Sequence, residues 1–430
     1  MVKPAYPNET IIPLAAVPAR FGLGATEELG YELRRLGLRH VLLVTDPHLV
    51  RLGLAGKVSA IIEQAGIRVT PYDDVLCEPT DESVARAAAF TREVDPEGLV
   101  ALGGGSVIDT AKAMNLCAAH PASVLAYIGQ PIGEGRPVPG PLRPLVTVPT
   151  TAGSGSEVTP TLALGITALR LKTGMSHPHL SPTMAIVDPL NTLTVPPFVT
   201  ACSGLDVLAQ AIESYTAIRY DRRPAPPSPS ERPPQVGANP FSDVWSLQAI
   251  TCCSQYLRRA CFNGHDLEAR NYMLMASICS RSGFGNAGVH IPHAMSYPVA
   301  SMVRDYIPPD YDAEHPMIPH GLAVALTLPA VCRFTAPLDP ARHATVARLL
   351  DDSAGGLADR PAADLLPEVL KRLLQDLGMP AGLEALGFGE ADIPELVEGA
   401  CQQGRLLKLA PRPVTRQDLA ALFRAALRYW

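Results

Sequence analysis

The chain has 430 residues, 47% of them hydrophobic, enough to build two domains and too apolar for a chain disordered throughout. A formal net charge of −6, with no long basic run, excludes a general attraction to phosphate backbones or anionic lipid, so neither nucleic acid nor a membrane surface is an expected partner. No apolar run approaches a membrane span, and the nine cysteines form no CxxC pair.

The first residues, MVKPAYPNETIIPLAAVPAR, hold four prolines and no long apolar core, which argues against a secretory signal. With reduced thiols expected as well, the sequence reads as that of a cytoplasmic protein. ATEELGYELRRLG has helical spacing, stops at Gly37 and feeds HVLLVTD, an apolar strand closing on Asp46. LAGKVSAIIEQAG then leads to IRVTPYDDV, and DESVARAAAFTREVDPEG to LVALGGGS. This alternation predicts a mostly parallel sheet with helices on both faces, an α/β domain over residues 1–195 ending in the strand-like pieces TPTLALGIT and MAIVDPL. From Pro196 the texture changes: PFVTACSGLDVLAQAIESYTAI, FSDVWSLQAITCCSQYLRRACF, LEARNYMLMASICSRSGFGNAG and HGLAVALTLPAVCRFTA are long and apolar at helical spacing. Residues 196–430 therefore read as an all-helical domain. Its proline-rich stretch over 219–240 forbids regular structure and predicts an extended loop, of a length often used as a lid or binding loop.

In LVALGGGSVIDTAKAMN a strand passes through Gly103, Gly104, Gly105 and Ser106 into a helix. Glycines let a pyrophosphate approach the backbone, and a helix start offers unpaired N–H groups and a positive dipole end. The stretch is neither GxGxxG, since Ile108 stands at the third glycine, nor a Walker loop. A second loop, PTTAGSGSEVT, gathers Thr150, Thr151, Ser154 and Ser156 around glycines, which suits phosphate or ribose contacts and equally a plain Ser/Gly turn. Asp46 can accept from the adenosine ribose, favouring NAD over NADP, or cap a helix. In the helical half, GLDVLAQAIESY sets Asp206 and Gln210 one turn apart on one face. NAGVHIPHAMSYP adds His290 and His293, and EHPMIPHGLAV adds His315 and His320. A carboxylate and two imidazoles can hold Fe(II) or Zn(II) and leave room for a substrate oxygen.

Taken together, GGGSVIDTAKA, PTTAGSGSEVT, AIVDPL, GLDVLAQAIESY, HAMSYP and PHG resemble, in order and spacing, the iron-containing (group III) alcohol dehydrogenase family over essentially the whole chain. The resemblance implies a dehydroquinate synthase-like architecture, with an N-terminal dinucleotide-binding α/β domain and an all-α C-terminal domain. It implies NAD, rather than NADP, on Asp46, Gly104, Gly105, Ser106, Asp109, Thr150, Thr151, Ser154, Thr159 and Lys172. It further implies a divalent metal, Fe(II) or Zn(II), on Asp206, His293 and His320. The family's remaining ligand, a histidine one turn after the aspartate, falls on Gln210, a neutral and weaker donor that predicts looser metal binding. Tyr297 stands where many members have a histidine suggested to relay protons, and with an ordinary pKa near ~10 it can do so only if its surroundings lower that value. His290 is then the candidate proton carrier, and Lys172 a candidate beside the nicotinamide ribose.

GFGNAGVHIPHAMSYP, the proline-rich insertion, EHPMIPHGLAVALTLPAVCRFTA and KLAPRPVTRQDLAALFRAAL are most similar to the family's transhydrogenase members. The implied function is hydride transfer between a small hydroxyacid or alcohol and metal-site NAD, giving an oxoacid or aldehyde. In the transhydrogenase version hydride passes from 4-hydroxybutyrate to 2-oxoglutarate and the nucleotide stays bound. The alternatives are an ordinary NAD-dependent alcohol or 4-hydroxybutyrate dehydrogenase and, from another class, a nucleotide-binding protein with a degraded metal site. Arg222, Arg223 and Arg232 are candidates for the substrate carboxylate, and a homo-oligomer, a dimer, is expected.

Overall fold

The computed structural model describes residues 7–14, 17–169, 171–313 and 315–430. The chain divides into two compact units, Ala16–Val195 and Pro196–Trp430, the latter joined by the N-terminal residues 7–14.

The first unit runs β1 (Ala19–Phe21), α1 (Leu29–Arg35), β2 (His40–Val44), α2 (Pro47–Arg51), α3 (Leu54–Gln64), β3 (Arg68–Tyr72), α4 (Asp81–Val94), β4 (Gly98–Gly103), α5 (Gly105–Ala119), β5 (Leu145–Pro149), β6 (Thr161–Ile166), β7 (Leu171–Ser176) and β8 (Met184–Val187). Six strands form one sheet in the order β1-β8-β5-β4-β2-β3, and every neighbouring pair is parallel. Side chains of a strand alternate between faces, and here both faces are covered. Leu42 and Val44 of β2 pack with Val84 and Ala87 of α4 and Ile108 and Met114 of α5. Val41 and Leu43, the alternate residues, pack with Leu29 and Leu33 of α1 and Val58 and Ile62 of α3. TPTLALGIT departs from its expected place: as β6 it leaves the main sheet and pairs antiparallel with β7. Its alternating burial fits a hairpin with one face packed, and Leu162, Leu164 and Ile166 point into the α4–α5 core.

The second unit runs α6 (Pro197–Thr216), α7 (Pro240–Phe262), α8 (Leu267–Ala287), α9 (Ile291–Ser301), α10 (His320–Thr335), α11 (Pro340–Leu350), α12 (Asp359–Asp376), α13 (Ile393–Cys401), α14 (Gly404–Leu407) and α15 (Arg416–Ala426). Helix α6 is buried on all sides from Gly204 to Thr216, as expected of a helix apolar all round. Gly204 makes this possible: a Cβ there would stand 2.3 Å from Leu257 Cδ1 of α7.

The proline-rich loop between α6 and α7 is extended, as its composition predicts, but it is tied down. Ala238 N donates to Ile218 O at 2.9 Å, Val236 N to Asn286 O at 2.8 Å and Gly237 N to Ala287 O at 3.0 Å. Arg232 grips both oxygens of the buried Glu9 carboxylate, at 3.0 and 3.3 Å, and Arg223 donates to Gln235 O at 2.8 Å. These two arginines therefore brace the chain, and Arg222 is exposed, which corrects their assignment to a substrate carboxylate. Among the described residues no helix is long and apolar enough to cross a membrane, and the cysteines are free thiols, most of them buried.

Candidate functional site

Helix α6 carries Asp206, Gln210 and Glu213, spaced four and three residues apart and so on one face of a 3.6-residue helix. Helix α9 brings His293, and α10 begins on His320. The metal-binding atoms of Asp206, His293 and His320 all lie within 4.8 Å of one another. The glycine of PHG is what lets α10 come this close: a Cβ on Gly321 would stand 2.0 Å from Cys202 O and 3.0 Å from Asp206 Cβ.

Glu213, fully buried, accepts from His293 Nδ1 at 2.5 Å and from the His290 backbone N–H at 2.7 Å. With Nδ1 so held, Nε2 of His293 faces Asp206 Oδ1 at 3.6 Å. A carboxylate on the far nitrogen fixes the ring and raises its basicity toward a metal. Burial works to lower the His293 pKa, but the Glu213 and Asp206 carboxylates outweigh it and hold it up. Burial likewise works to raise Asp206, and His293, His320 and Arg281 overrule it and keep the carboxylate ionised. Asp206 Oδ1 is buried without a hydrogen bond within 3.5 Å, an expense that a bound cation would remove. The donor set therefore fits a divalent metal.

Gln210 belongs to this cluster in a different role from the expected one. Its Nε2 donates to Asp206 Oδ2 at 2.7 Å, so the amide nitrogen, not its oxygen, points toward the carboxylate. Tyr297 is buried with its ring 5.8 Å from that of His320, at the site's edge. His290 is corrected: it caps α9, its Nδ1 accepting from Ile291 N at 2.8 Å while Nε2 meets Thr216 Oγ1 at 3.2 Å. Burial pushes its pKa down to about 4, and an imidazole with both nitrogens engaged and no charge is a structural cap, not a proton carrier. His315 is exposed and outside the cluster. Glu213 escaped the sequence reading, although its spacing from Asp206 and Gln210 was the available signal.

In the α/β unit, β4 ends at Gly103, Gly104 caps α5, and the two motif loops meet. Thr150 N donates to Gly103 O at 3.1 Å, and a Cβ on Gly105 would stand 2.5 Å from Ser154 Oγ. A Cβ on Gly104 would touch Thr151 at 3.3 Å. Gly104, Gly105, Thr150, Thr151 and Ser154 thus surround the start of α5. Ser106 lies there too, its hydroxyl donating to Cys77 O. Four expected cofactor residues have other partners. Asp46 caps α2, accepting from Leu49 N at 2.9 Å. Asp109 binds the second loop, accepting from Ser156 Oγ and, at 2.9 Å, from Ala163 N. Thr159 is buried and gives its carbonyl to Lys112 at 2.8 Å. Lys172 forms an ion pair with Glu78 at 2.5 Å.

A parallel α/β unit with a glycine-lined helix start, and a helical unit with a carboxylate–bis-histidine cluster, are the parts that a nucleotide-linked, metal-dependent enzyme requires. The comparisons with known proteins sharpen the class to a family. Residues 17–189 match the family model described as iron-containing alcohol dehydrogenase, and residues 231–427 match that of the Fe-containing alcohol dehydrogenase family, C-terminal. The chain belongs to the iron-containing alcohol dehydrogenase family and is an oxidoreductase. It is 44% identical over 419 residues to a hydroxyacid-oxoacid transhydrogenase, mitochondrial, of Bos taurus, covering 97% of this chain and 90% of that protein. The Homo sapiens protein of the same name is 43% identical over the same shares. Among solved structures, 1,3-propanediol oxidoreductase matches with a TM-score of 0.84 and 31% identity, over 97% of this chain and 100% of that one. Sulfoacetaldehyde reductase from Bifidobacterium kashiwanohense in complex with NAD+ matches with a TM-score of 0.80 and 28% identity, over 97% and 99%. The family and this complex support a nicotinamide cofactor and a divalent metal.

The relatives also correct the cytoplasmic expectation, because the transhydrogenases this chain resembles are named as mitochondrial.

Proposed function

We propose that this chain is a metal-dependent, NAD-linked dehydrogenase of small hydroxyacids that acts as a hydroxyacid-oxoacid transhydrogenase, moving hydride from 4-hydroxybutyrate to 2-oxoglutarate with the nucleotide retained. The observation that carries this reading is the convergence of Asp206, His293 and His320, with Glu213 behind His293. Likeness to hydroxyacid-oxoacid transhydrogenases over 97% of the chain supports a hydroxyacid donor and an oxoacid acceptor. A divalent ion held by these three residues supplies Lewis acidity to the substrate hydroxyl, and NAD supplies the hydride acceptor. Fe(II) and Zn(II) both suit one carboxylate and two imidazoles, and metal analysis of freshly purified protein distinguishes them. The protein's part is to hold His293 in one orientation through Glu213, to keep Asp206 ionised, and to bury both away from water. Gly104, Gly105, Ser106, Thr150, Thr151 and Ser154 are the proposed nucleotide contacts, supported by the glycine-lined opening of α5. With Asp46 engaged as a cap, the preference for NAD rests on the NAD+ complex of a similar enzyme.

Gln210 is proposed as a further ligand after a half-turn of its amide. Ser280 Oγ contacts both Val207 O at 3.0 Å and Gln210 Oε1 at 3.3 Å, but a hydroxyl has one proton and serves one of them fully. With the amide turned, Nε2 donates to Ser280 Oγ, whose proton stays on Val207 O, and Oε1 faces the metal site. Oε1 then stands near Asp206 Oδ2, where Nε2 was at 2.7 Å, and two acceptors that close are reconciled only by a cation between them. Gln210→His should tighten metal retention during dialysis against chelator; unchanged metal content would put residue 210 outside the ligand set. A homodimer is part of the same reading, supported by the exposed Phe241, Val244 and Trp245 on α7, and light scattering on the eluted protein checks it.

The deciding experiment is to incubate the enzyme with 4-hydroxybutyrate, then add 2-oxoglutarate, without free NAD. Formation of 2-hydroxyglutarate is expected. Turnover only with added NAD would leave an ordinary dehydrogenase, and no turnover with any divalent metal would favour a nucleotide-binding protein.

A further inference from the structure

We infer that Glu9, on the N-terminal segment, is a positioning residue for the metal centre, an inference that rests on the metal site proposed above and deepens it. Its route of action is the short turn between α8, which ends at Ala287, and α9, which begins at Ile291. In this turn Gly288 takes a φ of 92°, and His290 N donates to Glu213 Oε2 at 2.7 Å. The other oxygen of the same carboxylate holds His293 Nδ1 at 2.5 Å. The orientation of His293 therefore depends on where the turn lies.

A helix end leaves its last carbonyls without partners inside the helix. At the end of α8 the proline-rich loop takes two of them, with Val236 N on Asn286 O and Gly237 N on Ala287 O. Gln235 packs on the turn itself, since a Cβ on Gly288 would stand 3.3 Å from Gln235 Cβ. Arg223 fixes Gln235 through its carbonyl at 2.8 Å, and Arg405 through its Oε1 at 3.1 Å.

Prolines donate no backbone hydrogen bond, so a loop this rich in them needs ties from outside. Residues 7–14 supply them. Glu9 N donates to Arg223 O at 2.9 Å, Ala225 N donates to Pro7 O at 3.1 Å, and Arg232 donates to both Glu9 oxygens. Glu9 thereby joins the limb of the loop that leaves α6 to the limb that returns to α7. Farther along, the segment meets α8 directly, where Asn286 Nδ2 donates to Pro13 O. Glu9 is 4% exposed; burial works against its charge, and Arg232 with the N–H groups of Ile11 and Thr10 overrules it. A neutral side chain at residue 9 would leave Arg232 without its counter-charge in a largely buried place and loosen the loop that holds the turn.

The test measures the zinc affinity of the full chain, by competition with a chromogenic chelator, in the parent and in Glu9→Gln. The variant keeps the length and backbone bonds of residue 9. Its Kd for zinc should rise about tenfold, the low end for loss of a group that orients a metal ligand. Hydrogen exchange on the metal-free protein gives a second readout: the His290 amide should exchange about tenfold faster in Glu9→Gln while the amides of α12 keep their parent rates. Leu366→Ala, a truncation in the core of α12, controls for general destabilisation and should lower the melting temperature with zinc affinity unmoved. Parent-like zinc affinity or parent-like exchange at His290 in Glu9→Gln, or an equal loss of affinity in Leu366→Ala, would overturn the assignment and leave the metal site standing. A parent that binds no zinc would remove both. If Glu9→Gln does not fold, Arg232→Lys decides: it keeps the charge but not the two-point grip, and its Kd for zinc should rise about threefold, a parent-like value being the overturning result.

Discussion

His290 and His293 are three residues apart and both fully enclosed, yet their surroundings move them in opposite directions. Burial dominates at His290 and brings its pKa to about 4, whereas at His293 the Glu213 and Asp206 carboxylates overcome burial. Because the folded His290 pKa lies below the ordinary 6.5, the unfolded chain binds the extra proton between those two values. Stability contributed by neutral His290 is thus complete above about pH 6.5 and is lost as pH falls toward 4. Going from pH 7 to pH 5 should remove about 2 kcal/mol through this residue. Urea unfolding of His290→Asn, whose Oδ1 can keep the cap, should show that part of the slope gone while the pH profile of turnover keeps its shape. Glu213→Gln makes the complementary case: losing the carboxylate behind His293 should weaken metal affinity about 10- to 100-fold, measured by competition with a chelator. Asp206, His293 and His320 were legible in the sequence because residue type and motif order identify them. The role of His290 was not, because spacing reveals an imidazole but not which hydrogen bonds its two nitrogens make. Gln210 was legible as a departure, but the direction of its amide depends on Ser280, from another helix.

At the level of elements, the nucleotide loop and α5 are held together by a buried ammonium group. Lys112, 1% exposed, donates to Ser156 O at 2.6 Å, Ser156 Oγ at 2.8 Å, Thr159 O at 2.8 Å and Thr161 O at 2.7 Å. Asp109, one turn earlier on α5, holds Ser156 and the start of β6. The two residues explain why the PTTAGSGSEVT loop keeps one shape despite its glycines, and why Asp109 is not itself free to meet a nucleotide. Lys112→Met would leave buried carbonyls without their donor, for an expected loss of about 3 kcal/mol, with NAD affinity falling as the loop loosens. Calorimetric melting and NAD titration of the variant measure both; an unchanged NAD affinity in a destabilised variant would detach the loop from the nucleotide site. The alternation of helices and strands was readable because each buried strand is a short apolar run next to an amphipathic helix. β6 was read as a strand closing the sheet domain and β7 was not read as a strand, since a half-buried hairpin strand and a sheet strand share the same period of two and differ only in which partner they find.

On the scale of the whole molecule, the nucleotide loops and the metal centre lie in separate compact units, each with apolar packing of its own. A ligand that binds the folded form stabilises what it binds by mass action, about 2.7 kcal/mol when its concentration is 100 times its Kd. The metal should therefore act first on amides of α6, α9 and α10, and NAD on those of β4, α5 and the loop after β5. Hydrogen exchange followed by mass spectrometry reads the two separately. Loading zinc into chelator-treated protein should slow the most protected amides of α6 by about 100-fold, the factor equivalent to that free energy, while those of β4 change little. Adding NAD to the metal-free protein should give the converse pattern. Zinc that slowed exchange in β4 and α6 equally would mean that the units open together, so that one ligand's binding energy is shared by both. Zinc that slowed neither would show that Asp206, His293 and His320 do not hold a metal, and the dehydrogenase reading would fall with them.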